Sequence, residues 1–188
     1  MLSLNHYHIL KKAIKERKNI LIVGGTGSGK TTFTNAILDS IVKTHPNHRL
    51  IIIEDTAEIQ CVAKNKVILR ATDKVSILRL LKATMRLRPD RIIIGEVRGK
   101  EALDLLKAWN TGHPGGVATV HANSAKSGLI RMEQLISEVT TANMKELIAE
   151  AIDIVVYIEK TPKNRKIKEV IEVEGFNFNN NDYLIKSL

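Results

Sequence analysis

Long apolar runs, cysteine and aromatic residues are what this 188-residue chain has least of. No stretch approaches the roughly 18 consecutive apolar residues that a membrane-spanning helix requires, so a soluble protein is expected, held at a membrane only by a partner. Residues 1 to 12 carry His6, His8 and Lys11 among their apolar neighbours and contain no signal-peptide core. The single cysteine, Cys61, excludes an internal disulfide framework and a four-cysteine zinc site, as befits a reducing cytoplasm. With aromatics at 4%, the core must rest on Ile, Leu, Val and Ala. There is no internal repeat and no long linker.

What is present is ordinary for a folded chain. A hydrophobic fraction of 44% argues against disorder. The length suits one domain, residues 1–188, with a sizeable core. The net charge of +9 arises from 29 Lys and Arg against 20 Asp and Glu, gathered at Lys11–Lys18, Lys82–Arg91 and Lys160–Lys168. Such an excess attracts nucleic acid, acidic lipid or an acidic protein partner, or simply solvates a basic surface. No aromatic residues interleave with the clusters, which speaks against single-strand stacking and leaves direct nucleic-acid binding open but not favoured.

Hydrophobic spacing then lays out an α/β chain. Helices are expected over Asn5–Lys18, Lys30–Thr44, Val75–Leu87, Lys100–Trp109, Lys126–Glu138 and Asn143–Ile152. The short continuous apolar runs Ile20–Val23, Leu50–Ile53, Arg91–Ile94 and Val117–His121 read as strands buried on both faces, with Val67–Leu69 a weaker candidate. Beyond Asp153 the texture changes to strands at Ile154–Ile158, Lys166–Val173 and Tyr183–Ile185. The alternation predicts a largely parallel sheet covered on both faces, with a small antiparallel extension at the C-terminal end.

Gly24-Gly25-Thr26-Gly27-Ser28-Gly29-Lys30-Thr31 fits the phosphate-loop pattern G-x-x-x-x-G-K-[ST] in full, between an expected strand and an expected helix. Glycines let the backbone wrap around phosphates with its N–H groups inward, and the helix start adds amides and a positive dipole end. Gly25 to Thr32 are therefore the expected ATP contacts. Lys30 is to reach the β- and γ-phosphates, and Thr31 is to give a hydroxyl to Mg²⁺.

Ligands of a parallel sheet sit at the carboxyl ends of its strands. One such end runs into Glu54-Asp55-Thr56-Ala57-Glu58, another into Gly95-Glu96-Val97-Arg98-Gly99. Glu96 is placed to activate water or to help hold Mg²⁺, directly or through water. Without the phosphate loop upstream, a solvated turn or helix cap would be the simpler reading. His121 falls at a third strand end, where it can hydrogen-bond a γ-phosphate; a structural histidine is the competing reading. His113 and His121 match no common zinc spacing.

Four stretches stand in order: Gly24–Thr32, Ile53–Ile59 (IEDTAEI), Arg88–Gly99 (RPDRIIIGEVRG) and Thr111–His121 (TGHPGGVATVH). Together they resemble the Walker A, Asp, Walker B and His boxes of the type II/IV secretion and conjugation traffic ATPases, over nearly the whole chain. The stretch from Leu80 to Ala125 is most similar to conjugal-transfer members. The resemblance implies a RecA-like motor domain in a homo-hexameric ring. Such a ring sits on inner-membrane channel components at the cytoplasmic face and couples ATP hydrolysis to pilus assembly or to DNA or protein transfer. It implies Glu58 as the functional Asp-box glutamate, Glu96 as the Walker B glutamate and catalytic base, and His121 as the His-box histidine. Arg86, Arg88 and Arg98 are candidates for phosphate or subunit contacts, because a planar guanidinium binds oxyanions bidentately. Helix-surface or salt-bridge roles are equally open to each of them.

Family members carry a further N-terminal domain, which closes over the nucleotide. Only about one helix and a strand precede the phosphate loop here, so that domain is expected to be absent from this chain. Two other readings follow. One is a nucleotide-gated assembly module with little hydrolysis. The other is a pilus or type II secretion motor, although many type II motors carry a tetracysteine zinc module that one cysteine does not build.

Overall fold

The computed structural model describes residues 3–188. Apolar runs of four or five residues form the middle of one sheet: β1 (Ile20–Val23), β2 (Leu50–Glu54), β4 (Arg91–Ile94) and β5 (Val117–Val120), each buried along its whole length. β3 (Lys66–Arg70) lies outside β2, and β6 (Ile154–Lys160) lies beside β1. The order is β3-β2-β4-β5-β1-β6-β7-β8, with β7 (Arg165–Asn177) and β8 (Asp182–Ser187) closing the far side. Neighbours from β3 to β6 pair in parallel; β6–β7 and β7–β8 are antiparallel. The expected parallel sheet with an antiparallel extension is what forms.

Alternation along each strand divides the core into two layers. Ile20 and Ile22 of β1 pack with Leu10, Ala13 and Ile14 of α1 (Leu4–Lys15) and Ile37, Leu38 and Ile41 of α2 (Lys30–Thr44). Leu21 and Val23 face the other way, toward α3 (Ile77–Thr84), α4 (Glu101–Asn110), α5 (Ala125–Ser137) and α6 (Lys145–Ala151). Both faces are covered, which is why the inner strands carry no polar alternation.

Several boundaries differ from the sequence expectation, three of them for an evident local reason. The helix expected over Val75–Leu87 starts only at Ile77, where the Ser76 hydroxyl caps it, and tightens into a 3₁₀ turn over Met85–Leu87. Arg88 follows at φ 52°, a left-handed exit that turns the chain into Pro89 and β4. β7 runs on to Asn177 because a bulge at Glu174, next to Gly175 at φ 147°, absorbs a register shift that reads in sequence as a strand end. The last expected helix begins at Lys145, two residues late, with the Asn143 carboxamide accepting from the Lys145 amide.

The amino edge of the sheet is closed by a buried polar net. Arg91, fully buried, donates to the carbonyls of Gly115 (2.8 Å) and Ile14 (2.9 Å), and lies within hydrogen-bond reach of Nδ1 of His48 (3.2 Å) and His45 (3.1 Å). The two imidazoles stack at 4.3 Å. Burial pushes the Arg91 guanidinium down to about 10, with Arg17 adding to the effect. Burial, and then the Arg91 charge, also hold both histidines below their ordinary value. Beside it, Asn19 accepts from the amides of Gly115 and Gly116 and donates to Ala151 O.

Candidate active site

At the carboxyl edge, β1 runs into the loop Gly24–Gly29, which turns back into α2. Gly27 (φ 69°) and Gly29 (φ 97°) occupy left-handed backbone that other residues adopt only with strain. A Cβ on Gly24 would meet the Ile158 carbonyl and the Ser28 hydroxyl, each at 2.5 Å. None of the described side chains caps α2, so the amides of its first turn and its positive dipole end face the space above the loop.

That space is a cleft of about 630 Å³, walled by Thr26 to Thr32 on one side and by Glu54, Asp55, Glu58, Glu96, Arg98 and His121 on the other. The Lys30 amine, largely buried, donates to the carbonyls of Gly24 (2.9 Å) and Gly25 (3.2 Å) and sits 3.5 and 3.4 Å from the two ring nitrogens of His121. Burial pulls its pKa below the usual lysine value; Glu96 opposes this, Arg98 adds to it, and Glu58 opposes it again. The Thr31 hydroxyl donates to Glu58 Oε2 at 2.9 Å.

Glu96 is held from both sides. Its Oε1 is 2.9 Å from His121 Nε2, and its Oε2 accepts from Arg98 Nη2 at 2.7 Å. The other terminal nitrogen of Arg98 reaches Asp55 Oδ2 at 2.5 Å, so one guanidinium ties the loop after β2 to the loop after β4. The hydrogen bond that Arg98 donates to Glu96 leads the causes that raise the Arg98 pKa. Thr119 steadies the β4 loop from β5: its hydroxyl donates to Gly95 O (2.7 Å) and its carbonyl accepts from Val97 N (2.9 Å).

Lys30, Thr31, Glu58, Glu96 and His121, separated in sequence, therefore meet in one cleft, and Gly25 contributes a carbonyl to Lys30. Arg98 joins them. Arg86 and Arg88 are exposed and absent from the cleft wall. His113 lies elsewhere, its ring 2.9 Å from Pro89 O. Glu54 and Arg165 are among the wall residues that were not singled out in the sequence. Glu54 sits within a run of carboxylates that spacing does not rank. Arg165, whose Nε donates to Gly27 O at 3.2 Å, lies inside a basic cluster that reads as surface. A recess of about 220 Å³, floored by Phe33, Ile158 and Ile167, opens beside the loop and shares Ser28, Gly29, Thr32 and Arg165 with the cleft.

The chemistry this wall offers is oxyanion binding plus carboxylate base. Its oxygen donors also fit Mg²⁺, a hard cation that keeps waters and takes one or two carboxylates: the Thr31 hydroxyl and a Glu58 oxygen already converge. Among the described residues no three His, Cys, Asp or Glu cluster closely enough to hold a metal by themselves.

A family model described as "Type II/IV secretion system protein" matches residues 2–180. The conjugal transfer protein TrbB of Rhizobium radiobacter is 58% identical over 174 residues, covering 93% of this chain and 53% of that protein. The type IV secretion system protein VirB11 of Bartonella quintana is 35% identical over 173 residues, 86% of this chain and 48% of that one. Among solved structures, the VirB11 ATPase from the Brucella suis type IV secretion system, in complex with sulphate, superposes with a TM-score of 0.81 at 29% identity, over 88% of this chain and 51% of that chain. The pilus retraction motor PilT with bound ADP gives 0.64 at 26% identity, over 87% and 49%. The chain spans about half the length of the curated relatives it matches.

Proposed function

The chain belongs to the type II/IV secretion system protein family, and from that premise we propose that it is the ATP-binding and ATP-hydrolysing core of a conjugation or type IV secretion motor. The observation that carries this reading is the meeting of the phosphate loop with Glu58, Glu96 and His121 at the carboxyl edge of one sheet. The triphosphate lies along the amides of Gly27 to Thr32, with Lys30 turned from the Gly24 and Gly25 carbonyls onto its β- and γ-oxygens. The base occupies the recess over Phe33, Ile158 and Ile167. Mg²⁺, when bound, neutralises charge on the phosphate oxygens; Thr31 and Glu58 would hold it, with Glu96 contributing through water. Glu96 orients and deprotonates the attacking water, and His121, touching both Glu96 and Lys30, reports whether a γ-phosphate is present.

Chains of this kind assemble, in this proposal, as a homo-hexamer on inner-membrane channel components at the cytoplasmic face. Among the described residues no helix is long and apolar enough to cross a membrane; in this proposal contact with the bilayer runs through those partners. Steady-state phosphate release with Mg²⁺, beside a Lys30→Ala control and a molar mass from light scattering, tests the motor reading. Turnover that vanishes in the Lys30 variant is the expected result; turnover unaffected by it would sink the proposal.

One observation favours a second reading, a nucleotide-gated assembly module that hydrolyses slowly. Both oxygens of Glu96 are engaged, by His121 and Arg98, which leaves the carboxylate fewer open acceptor positions for an attacking water. Tight ATP binding with turnover no higher than that of Glu96→Gln would select it.

A further inference from the structure

One carboxylate in the cleft wall is held unlike the others. Glu54, the last residue of β2, is 2% exposed, whereas Asp55 and Glu58 in the following loop are open to solvent. Its Oε2 accepts two successive backbone amides, Glu58 N at 3.1 Å and Ile59 N at 3.0 Å. Its Cβ lies 3.2 Å from where a Cβ on Gly95 would be, so the residue before Glu96 packs directly on it. The Arg70 guanidinium, from β3, stands 4.0 Å from Oε1. The loop from 55 to 59 is thus folded over this side chain, and its return brings Glu58 to the Thr31 hydroxyl.

We propose that Glu54 is a positioning residue for the hydrolytic reaction: its buried oxygen fixes the loop that delivers Glu58 to Thr31. The inference rests on the ATPase reading above. What the role requires is an acceptor atom at the right reach, not a negative charge and not a proton-transfer group. Two amides converging on one oxygen are served by a carboxamide almost as well as by a carboxylate, whereas a side chain one methylene shorter draws the acceptor away from both.

The test compares Glu54→Gln, Glu54→Asp and Glu54→Ala for kcat, KM and amide hydrogen exchange. Glu54→Gln should keep kcat within about threefold, because the acceptor stays in place. Glu54→Asp and Glu54→Ala should lower kcat by about 10- to 100-fold at little-changed KM, as expected when a reacting group is misplaced by about an ångström. Adding Glu54→Ala to Glu58→Gln should cost little more than Glu58→Gln alone, since the first change acts through the second residue. The opposite ranking, Asp tolerated and Gln inactive, would mean that the charge of Glu54 takes part in the chemistry and would overturn the proposal. That ranking decides even if the alanine variant fails to fold. Exchange protection at the Glu58 and Ile59 amides, kept in Gln and lost in Asp, reads the same device without turnover. A wild-type chain that hydrolyses nothing yet shows that pattern would count against the ATPase reading and leave the loop device standing; equal protection in Gln and Asp would overturn the device.

Discussion

The two edges of the sheet carry polar nets of opposite character. At the amino edge, Arg91 and Asn19 are buried and spend most of their hydrogen bonds on backbone groups of α1, α6 and the loop before β5. At the carboxyl edge, Glu96, Arg98, Asp55, His121, Thr31 and Glu58 are partly or fully open to solvent and bond mostly to one another. Side chains that satisfy buried backbone belong to the fold, because removing them strands carbonyls and amides that water does not reach. Side chains that satisfy one another across a cleft are exchangeable, because a ligand can take over each partner. The carboxyl edge is where a parallel sheet leaves its loops free to do this.

That contrast can be broken in four ways. The largest expected effect is on the amino edge: Arg91→Met strips the Gly115 and Ile14 carbonyls of their donor and should cost about 4 kcal/mol in denaturant unfolding, at about 1–3 kcal/mol for each stranded group. Nucleotide affinity of the folded fraction should be unchanged. Lys30→Ala should act mainly on the ligand, weakening ATP binding by about 10- to 100-fold, the worth of a charge-assisted contact, and costing the fold only about 1–3 kcal/mol, for the one buried carbonyl, Gly24, that loses its donor. Arg98→Ala removes two ion pairs from an exposed side chain and should alter stability by less than about 1 kcal/mol. A larger loss there would show that the carboxyl-edge net also serves the fold.

The smallest effect is a pH dependence. His45 and His48 are held below 6.5 in the folded chain, by burial first and then by Arg91, with Arg17 acting in the same direction and Asp90 opposing at His48. The unfolded chain takes protons near 6.5 that the folded chain refuses, so this contribution is complete above that value and is lost as pH falls below it. Thermal midpoints should therefore decline from about pH 7.5 to about pH 5.5, and less steeply in His48→Gln, which keeps an acceptor for Arg91 without the titration. An unchanged slope in the variant would remove the pair from the account.

Much of the carboxyl edge was legible in the sequence because its chemistry is local. Gly24 to Thr32 announces itself by spacing, and Arg91–Ile94, an apolar run with a glycine and Glu96 behind it, falls at its expected bounds. The amino edge was not legible. Arg91 reads as one more member of a basic cluster, and only the sheet shows that its side chain turns inward beneath Gly115. Glu54 was hidden for a related reason. Three carboxylates within five residues look alike until the fold buries one, at the end of β2, against Gly95 and leaves the other two open to solvent. Arg165 needed the antiparallel extension itself, since it reaches Gly27 across 138 residues of sequence.

The most direct test of the cleft as a hydrolytic ATP site is a single-turnover measurement with labelled ATP and Mg²⁺ on the wild-type chain and on Glu96→Gln. Both should bind ATP with similar affinity, and phosphate release should fall by about 10²- to 10⁴-fold in the variant, the usual contribution of a general base. Equal release from both, or no ATP bound by either, would contradict it.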